Sequence, residues 1–152
     1  MNASTHSLRV SRVIEADRDT LFRAWTDPRE LAEWWRQDGD GWAFAEASVD
    51  LRVGGRYRLG MIAPEGRRHV AVGVYREIQR PGRLVFTWDW EDVPNGIGET
   101  LVTVEFKAVD ADRTEIVVTH ERFVEAARLG RHEQGWTELL ALLEHHVKGG
   151  TA

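Results

Sequence analysis

His120 ends the run TEIVVTH, in which Ile116, Val118 and His120 fall on one side of a strand by period-2 alternation. A neutral imidazole among apolar side chains can hydrogen-bond a ligand or act as a general base. Equally, it can be a histidine satisfied by a neighbour at the sheet's edge, since the spacing pairs no carboxylate with it. Arg12 lies on the apolar side of the first strand with Leu8, Val10 and Ile14. A guanidinium there must be paired or reach solvent. It either holds an anionic ligand group or meets a carboxylate such as Glu46, Asp50 or Glu105. Asp50 and Arg52, just before Gly54-Gly55, are spaced to clasp one another. Trp34-Trp35 either guards a cavity mouth or docks a short helix on the domain.

Several chemistries have no residues to carry them. There is no cysteine among the 152 residues, which excludes disulfides, zinc-thiolate sites and thiol catalysis. No HExxH motif is present, and the adjacent His145 and His146 point apart on a helix, so neither a metal nor a cofactor is expected. Gly54-Gly55 belongs to no phosphate loop, and no serine sits in a GxSxG elbow. The net charge of −5 argues against a nucleic-acid partner. Of the 20 basic residues all but Lys107 and Lys148 are arginine, and they are spread without a basic block. No window reaches the ~18 apolar residues of a membrane span. The start, MNASTHSLRV, has no signal-peptide core. The expected location is cytoplasmic, so Asn2-Ala3-Ser4 is not read as a glycosylation site.

The elements that must position these groups follow from periodicity and turn chemistry. A first strand spans residues 7–16. Asp17 is placed to cap a short helix carrying Leu21, Phe22 and Trp25. Asp27, Pro28 and Glu30 then form a helix start of N-cap, first-turn proline and capping acid. From about Trp42 the pattern changes to about six strands. Tyr57, Leu59 and Met61 share one side. So do Val70, Val72, Val74 and Ile78, then Leu84, Phe86, Trp88 and Trp90, and then Val102, Val104 and Phe106. Glu77 and Asp89 alternate onto the outer face. Pro64-Glu65-Gly66, Pro81-Gly82 (as a type II turn) and Asp110-Ala111-Asp112 reverse the chain, and EDVPNGIGE is a longer loop. Short turns between strands predict an antiparallel meander and an α+β domain.

The last helix begins between Val124 and Arg131 and ends before Gly149-Gly150. Leu129, Trp136, Leu140, Leu143 and Val147 make an apolar stripe that Leu139 and Leu142 widen. So broad a face needs a concave partner, which a twisted sheet curling around the helix provides. Large rings concentrated on one strand are then either core or the lining of a hollow left unsealed. Gly135, without a side chain, would let the helix backbone approach the sheet or a bound molecule.

Arg12, AWTDPRELAEWW (24–35), DLRVGGRYRLGM (50–61), GVYREIQRPGRLVFTW (73–88), TEIVVTH (114–120) and Gly135-Trp136 together resemble the START-like superfamily. More narrowly, they resemble its branch named after the activator of the heat-shock-protein-90 ATPase. The similarity runs from about residue 8 to residue 147. It implies a helix-grip fold, a curved antiparallel sheet around a long C-terminal helix, with a cavity between them. Residues 1–152 are expected to form one such domain. The superfamily includes lipid and hormone carriers and polyketide cyclases. The eukaryotic activator carries a further N-terminal domain for which this chain is expected to have no room.

The expectation from residues and resemblance together is binding of a small apolar or amphipathic molecule between sheet and last helix. Tyr57, Met61, Phe86, Trp88, His120 and Trp136 are the expected lining. A cyclase- or hydrolase-like enzyme using His120 as acid or base is the first alternative, and would need two polar groups converging in the hollow. A chaperone-associated or regulatory interaction module is the second, and would need an exposed apolar patch beside a filled interior. Pairing of an edge strand across a homodimer stays open.

Overall fold

The computed structural model describes residues 6–35, 41–91, 99–124 and 128–148. The loop expected at EDVPNGIGE, apart from its two ends, and Asn2-Ala3-Ser4 lie outside the described residues. The chain runs β1 (His6–Ile14), α1 (Arg18–Thr26), α2 (Pro28–Trp34), β2 (Ala43–Val49), β3 (Arg56–Ile62), β4 (Arg68–Gln79), β5 (Arg83–Trp90), β6 (Thr100–Ala108), β7 (Thr114–Phe123) and α3 (Leu129–Val147). Its fold class is α+β.

Local chemistry sets the ends of the short helices. Asp27 caps α2 by accepting from the Arg29 N–H at 2.9 Å, with Pro28 opening the first turn. Asp17 occupies the cap position of α1, but its carboxylate takes the Thr20 hydroxyl instead of a backbone N–H. The Trp34 indole donates to the Ala24 carbonyl at 2.8 Å and so ties α2 to α1.

The seven strands form one antiparallel sheet in the order β1-β7-β6-β5-β4-β3-β2. β2 to β7 are the expected meander, and β1 is laid beside β7 at the far edge. The turn at Pro81-Gly82 contains a cis Arg80–Pro81 bond closed by Gly82 N–H to the Gln79 carbonyl at 2.7 Å. That is a cis-proline turn, not the type II turn expected.

The alternation expected along β4 holds only at one end. Tyr57, Leu59 and Met61 oppose Gly73, Ala71 and His69, while Val72 and Val74 oppose Arg58 and Arg56. A register shift between Tyr75 and Glu77 then exchanges the faces, so Ile78 pairs with the inward Leu84. The inner face of β4 is therefore His69, Ala71, Gly73, Tyr75 and Ile78. Glu77 opposes Val85 and Asp89 opposes Val72, so both are on the outer face as expected. Gly73 could be no other residue: a Cβ there would stand 1.9 Å from the Thr87 carbonyl oxygen and 2.7 Å from the Tyr57 ring.

The curved sheet packs its inner face on the three helices. α3 crosses at the β1 side, α1 rests on β6, and α2 lies against β2 and α3. The core joins Phe22, Trp25, Trp34, Trp35, Phe106 and Trp136 to the inner strands. Two polar ties hold the C-terminal half of α3. Arg12 of β1 donates to Glu144 at 2.9 and 2.6 Å, and His146 meets Glu30 of α2 at 3.0 Å. Arg12 thus has a carboxylate partner, but on the last helix and not at Glu46, Asp50 or Glu105. The Asp50–Arg52 clasp forms as expected, at 2.8 Å. No helix among the described residues is long and apolar enough to cross a membrane.

Candidate functional site

The N-terminal half of α3 is held differently, by two indole–imidazole pairs. Trp136 donates its indole N–H to His120 Nδ1 at 3.0 Å. An indole can only donate, so Nδ1 is the acceptor and the neutral ring carries its proton on Nε2. His120 Nε2 stands 2.7 Å from Thr100 Oγ1, and that hydroxyl donates to the Trp88 carbonyl at 2.7 Å. The chain of donors and acceptors is complete. His120 is fully buried, and burial, with a smaller contribution from nearby His132, pushes its pKa down to about 2. The ring stays neutral because a charge there would be desolvated with no opposite charge to meet it.

Beside it, Trp90 donates to His132 Nε2 at 2.9 Å, and His132 Nδ1 donates to the Arg128 carbonyl at 2.8 Å. Burial holds the His132 pKa below its ordinary value as well. The two imidazoles lie 5.2 Å apart, and the Phe123 ring is 4.4 Å from one and 4.9 Å from the other. The pairs anchor the start of α3 to β5 and β7 at one end of the sheet.

Next to these anchors the helix stands off from the sheet and leaves a cleft of about 490 Å³. Sheet residues Met61, His69, Trp88 and Trp90 form one wall. Arg128, Arg131, His132, Gln134, Gly135, Trp136, Glu138 and Leu139 form the helix wall, and Trp35 and Trp42 complete the lining. Five of the chain's seven tryptophans therefore border one space. Their rings interlock: Trp88 lies 5.0 Å from Trp136 and 5.4 Å from Trp90, and Trp35 lies 6.2 Å from Trp88. The volume falls within the ~300–1,000 Å³ usual for small-molecule sites.

Five of the seven indole N–H groups divide into two kinds. Those of Trp34, Trp90 and Trp136 reach acceptors. Those of Trp35 and Trp88 are buried without an acceptor among the described residues. A buried donor in that state costs about 1–3 kcal/mol. Both residues line the cleft.

Of the residues expected from sequence, Met61, Trp88 and Trp136 line this cleft. His120 sits behind Trp136, with both nitrogens engaged. Tyr57 and Phe86 are on the inner face, 5.3 Å apart, in a separate cluster with Tyr75. The Tyr57 hydroxyl donates to the Thr87 carbonyl at 2.5 Å. Gly135 does line the cleft, but it does not approach the sheet: a Cβ there would meet nothing within 4 Å.

Sequence reasoning missed Trp42, His69, Trp90, Arg128, Arg131 and His132 as lining residues. His132 had a readable signal, because it lies four residues before Trp136 and therefore on the same helix face. His69 did not, because its direction depends on the β4 register. Among the described residues no three histidine, aspartate or glutamate side chains gather as a metal site.

Residues 15–148 match the family model of the Activator of Hsp90 ATPase homolog 1-like proteins. No curated protein matches the chain. Among solved structures, an uncharacterised protein from Rhizobium leguminosarum is similar at 26% identity and a TM-score of 0.81, with 97% of each chain covered. A protein from Chromobacterium violaceum is similar at 26% identity and a TM-score of 0.79, covering 91% of this chain and 94% of that one. An HSP90 activator from Plasmodium falciparum is similar at 27% identity and a TM-score of 0.72, covering 94% and 96%.

Proposed function

The chain belongs to the family of Activator of Hsp90 ATPase homolog 1-like proteins, and within it we propose that this member binds a small, ring-bearing or amphipathic molecule in the cleft between β3–β5 and the N-terminal half of α3. The observation that carries this reading is the gathering of five indoles around one open space. Aromatic walls supply buried area and stacking at low entropic cost.

Acid–base catalysis at His120 is disfavoured by the same geometry. One nitrogen accepts from Trp136, the other is committed to Thr100, and burial keeps the ring neutral. A chaperone-directed role is the second reading, favoured by the likeness to the Plasmodium falciparum HSP90 activator over 96% of that chain. Against it, among the described residues the exposed large apolar ones, Val13, Leu51, Val53, Val109 and Val124, come from four separate segments.

Titration of tryptophan fluorescence with 2-naphthoate and with decanoate tests the proposal. Saturable quenching is expected in the wild type. In Gly135→Leu, where the added side chain has open space at the cleft wall, quenching should weaken at least tenfold with no loss of thermal stability. Quenching unchanged in that folded variant would count against the cleft as the site.

A further inference from the structure

Among the described residues, the buried unmatched polar side-chain atoms are two donors, both on the cleft. Trp35 and Trp88 each hold a buried indole N–H with no acceptor, while the Trp90 and Trp136 N–H groups beside them are taken up by histidines. Trp35 is fully buried and Trp88 nearly so, and their ring centroids are 6.2 Å apart. Both line the cleft.

The same wall carries the start of α3. That 19-residue helix has no side-chain cap and no acid in its first turn, so nothing within its own first turn offsets the partial positive charge of its first N–H groups. Arg128 and Arg131 line the cleft at this end. Among the described residues the one carboxylate on the lining, Glu138, has the Gln134 amide nitrogen 3.5 Å away. A ligand matched to these groups brings acceptor oxygens to the indoles and rings to stack among them.

We propose that the cleft selects a planar, ring-bearing ligand with a carboxylate or carbonyl oxygen, and that binding shifts the Trp35 and Trp88 rings so that their indole N–H groups donate to this oxygen. The proposal rests on the cleft being a binding site. It adds the chemistry of the head group and names the two residues that read it. Those residues act as hydrogen-bond donors in the bound state and as aromatic walls without a ligand. An acceptorless hydrocarbon of the same shape fills the space but leaves both donors unmet.

Naphthalene and 2-naphthoate separate these cases, followed by titration and by the assigned indole N–H resonances of ¹⁵N-labelled full-length protein. The expected result is that 2-naphthoate binds at least tenfold tighter than naphthalene and moves the Trp35 and Trp88 indole protons downfield. Trp88→Phe should lose most of that preference while still binding naphthalene. Should that variant not fold, the wild-type resonances still decide. Equal affinity with both indole protons unmoved would overturn the head-group assignment and leave the cleft as a site. Tighter naphthoate binding without those shifts would overturn it too, and would give the carboxylate to the arginines at the start of α3. No saturable binding of either probe would remove the cleft reading along with the inference.

Discussion

His120 shows what one residue contributes here and what its letter cannot tell. Its type, and its place after Ile116 and Val118, put the ring on the inner face, and the pairing Leu8–His120–Val102 agrees. Which atoms satisfy it depends on Trp136, 16 residues away, and Thr100, 20 residues away. No local pattern encodes those partners. The neutrality of the ring has a consequence for stability. The folded-state pKa of His120, and that of His132, lies below the unfolded value near 6.5. Between those values the unfolded chain binds more protons than the folded one. The stabilisation is therefore complete above pH 6.5 and is lost as pH falls beneath it. His120 alone should remove about 2 kcal/mol between pH 6.5 and 5. The carboxylates with lowered pKa values, among them Glu46 and Glu144, lose their contribution only below their ordinary range, so they leave this window to the histidines. Urea unfolding at half-unit steps should show the decline, and His120→Gln should flatten it. A wild-type profile already flat from pH 7 to 5 would mean that the imidazoles are accessible to protons in the folded state.

At the scale of elements, helix starts and strand order were legible where chemistry is local. Asp27-Pro28 begins α2 as its types require, and the short turns from β2 to β7 give a meander. What stayed hidden depends on contacts between distant segments. β1 pairs with β7 across most of the chain, and the bulge after Tyr75 turned Val72 and Val74 outward. Two glycines mark the difference between a constrained position and a permissive one. Gly73 has the Thr87 carbonyl where a side chain would start, whereas Gly135 has open space. Gly73→Ala should therefore lower stability by more than 2 kcal/mol, as overpacking against backbone does, or prevent folding. Gly135→Ala should raise it by up to about 1 kcal/mol through helix propensity. Thermal melts of both variants check the pair. Stabilisation of the first, or marked destabilisation of the second, would show that β5 or α3 sits elsewhere.

For the whole molecule, the division of α3 into two halves organises the site. Its C-terminal half is tied down by Arg12–Glu144 and His146–Glu30, and its N-terminal half by Trp136–His120 and His132–Trp90. The cleft opens beside the second pair of ties, where β3 and β5 end and β4 begins. That placement explains which expected residues reach it. Met61, Trp88 and Trp136 lie at that end of the inner face, and Tyr57 and Phe86 lie further along the same strands. Period-2 patterning reports the face a residue shares but not its distance from an opening, so both groups read alike in the sequence. The direct test of the account is a crystal structure of the protein with 2-naphthoate at a concentration that saturates the fluorescence change. The account predicts the naphthalene rings between Trp88, Trp90 and Trp136, against the first turns of α3. A cleft holding only water, or a probe ordered elsewhere on the molecule, would contradict it.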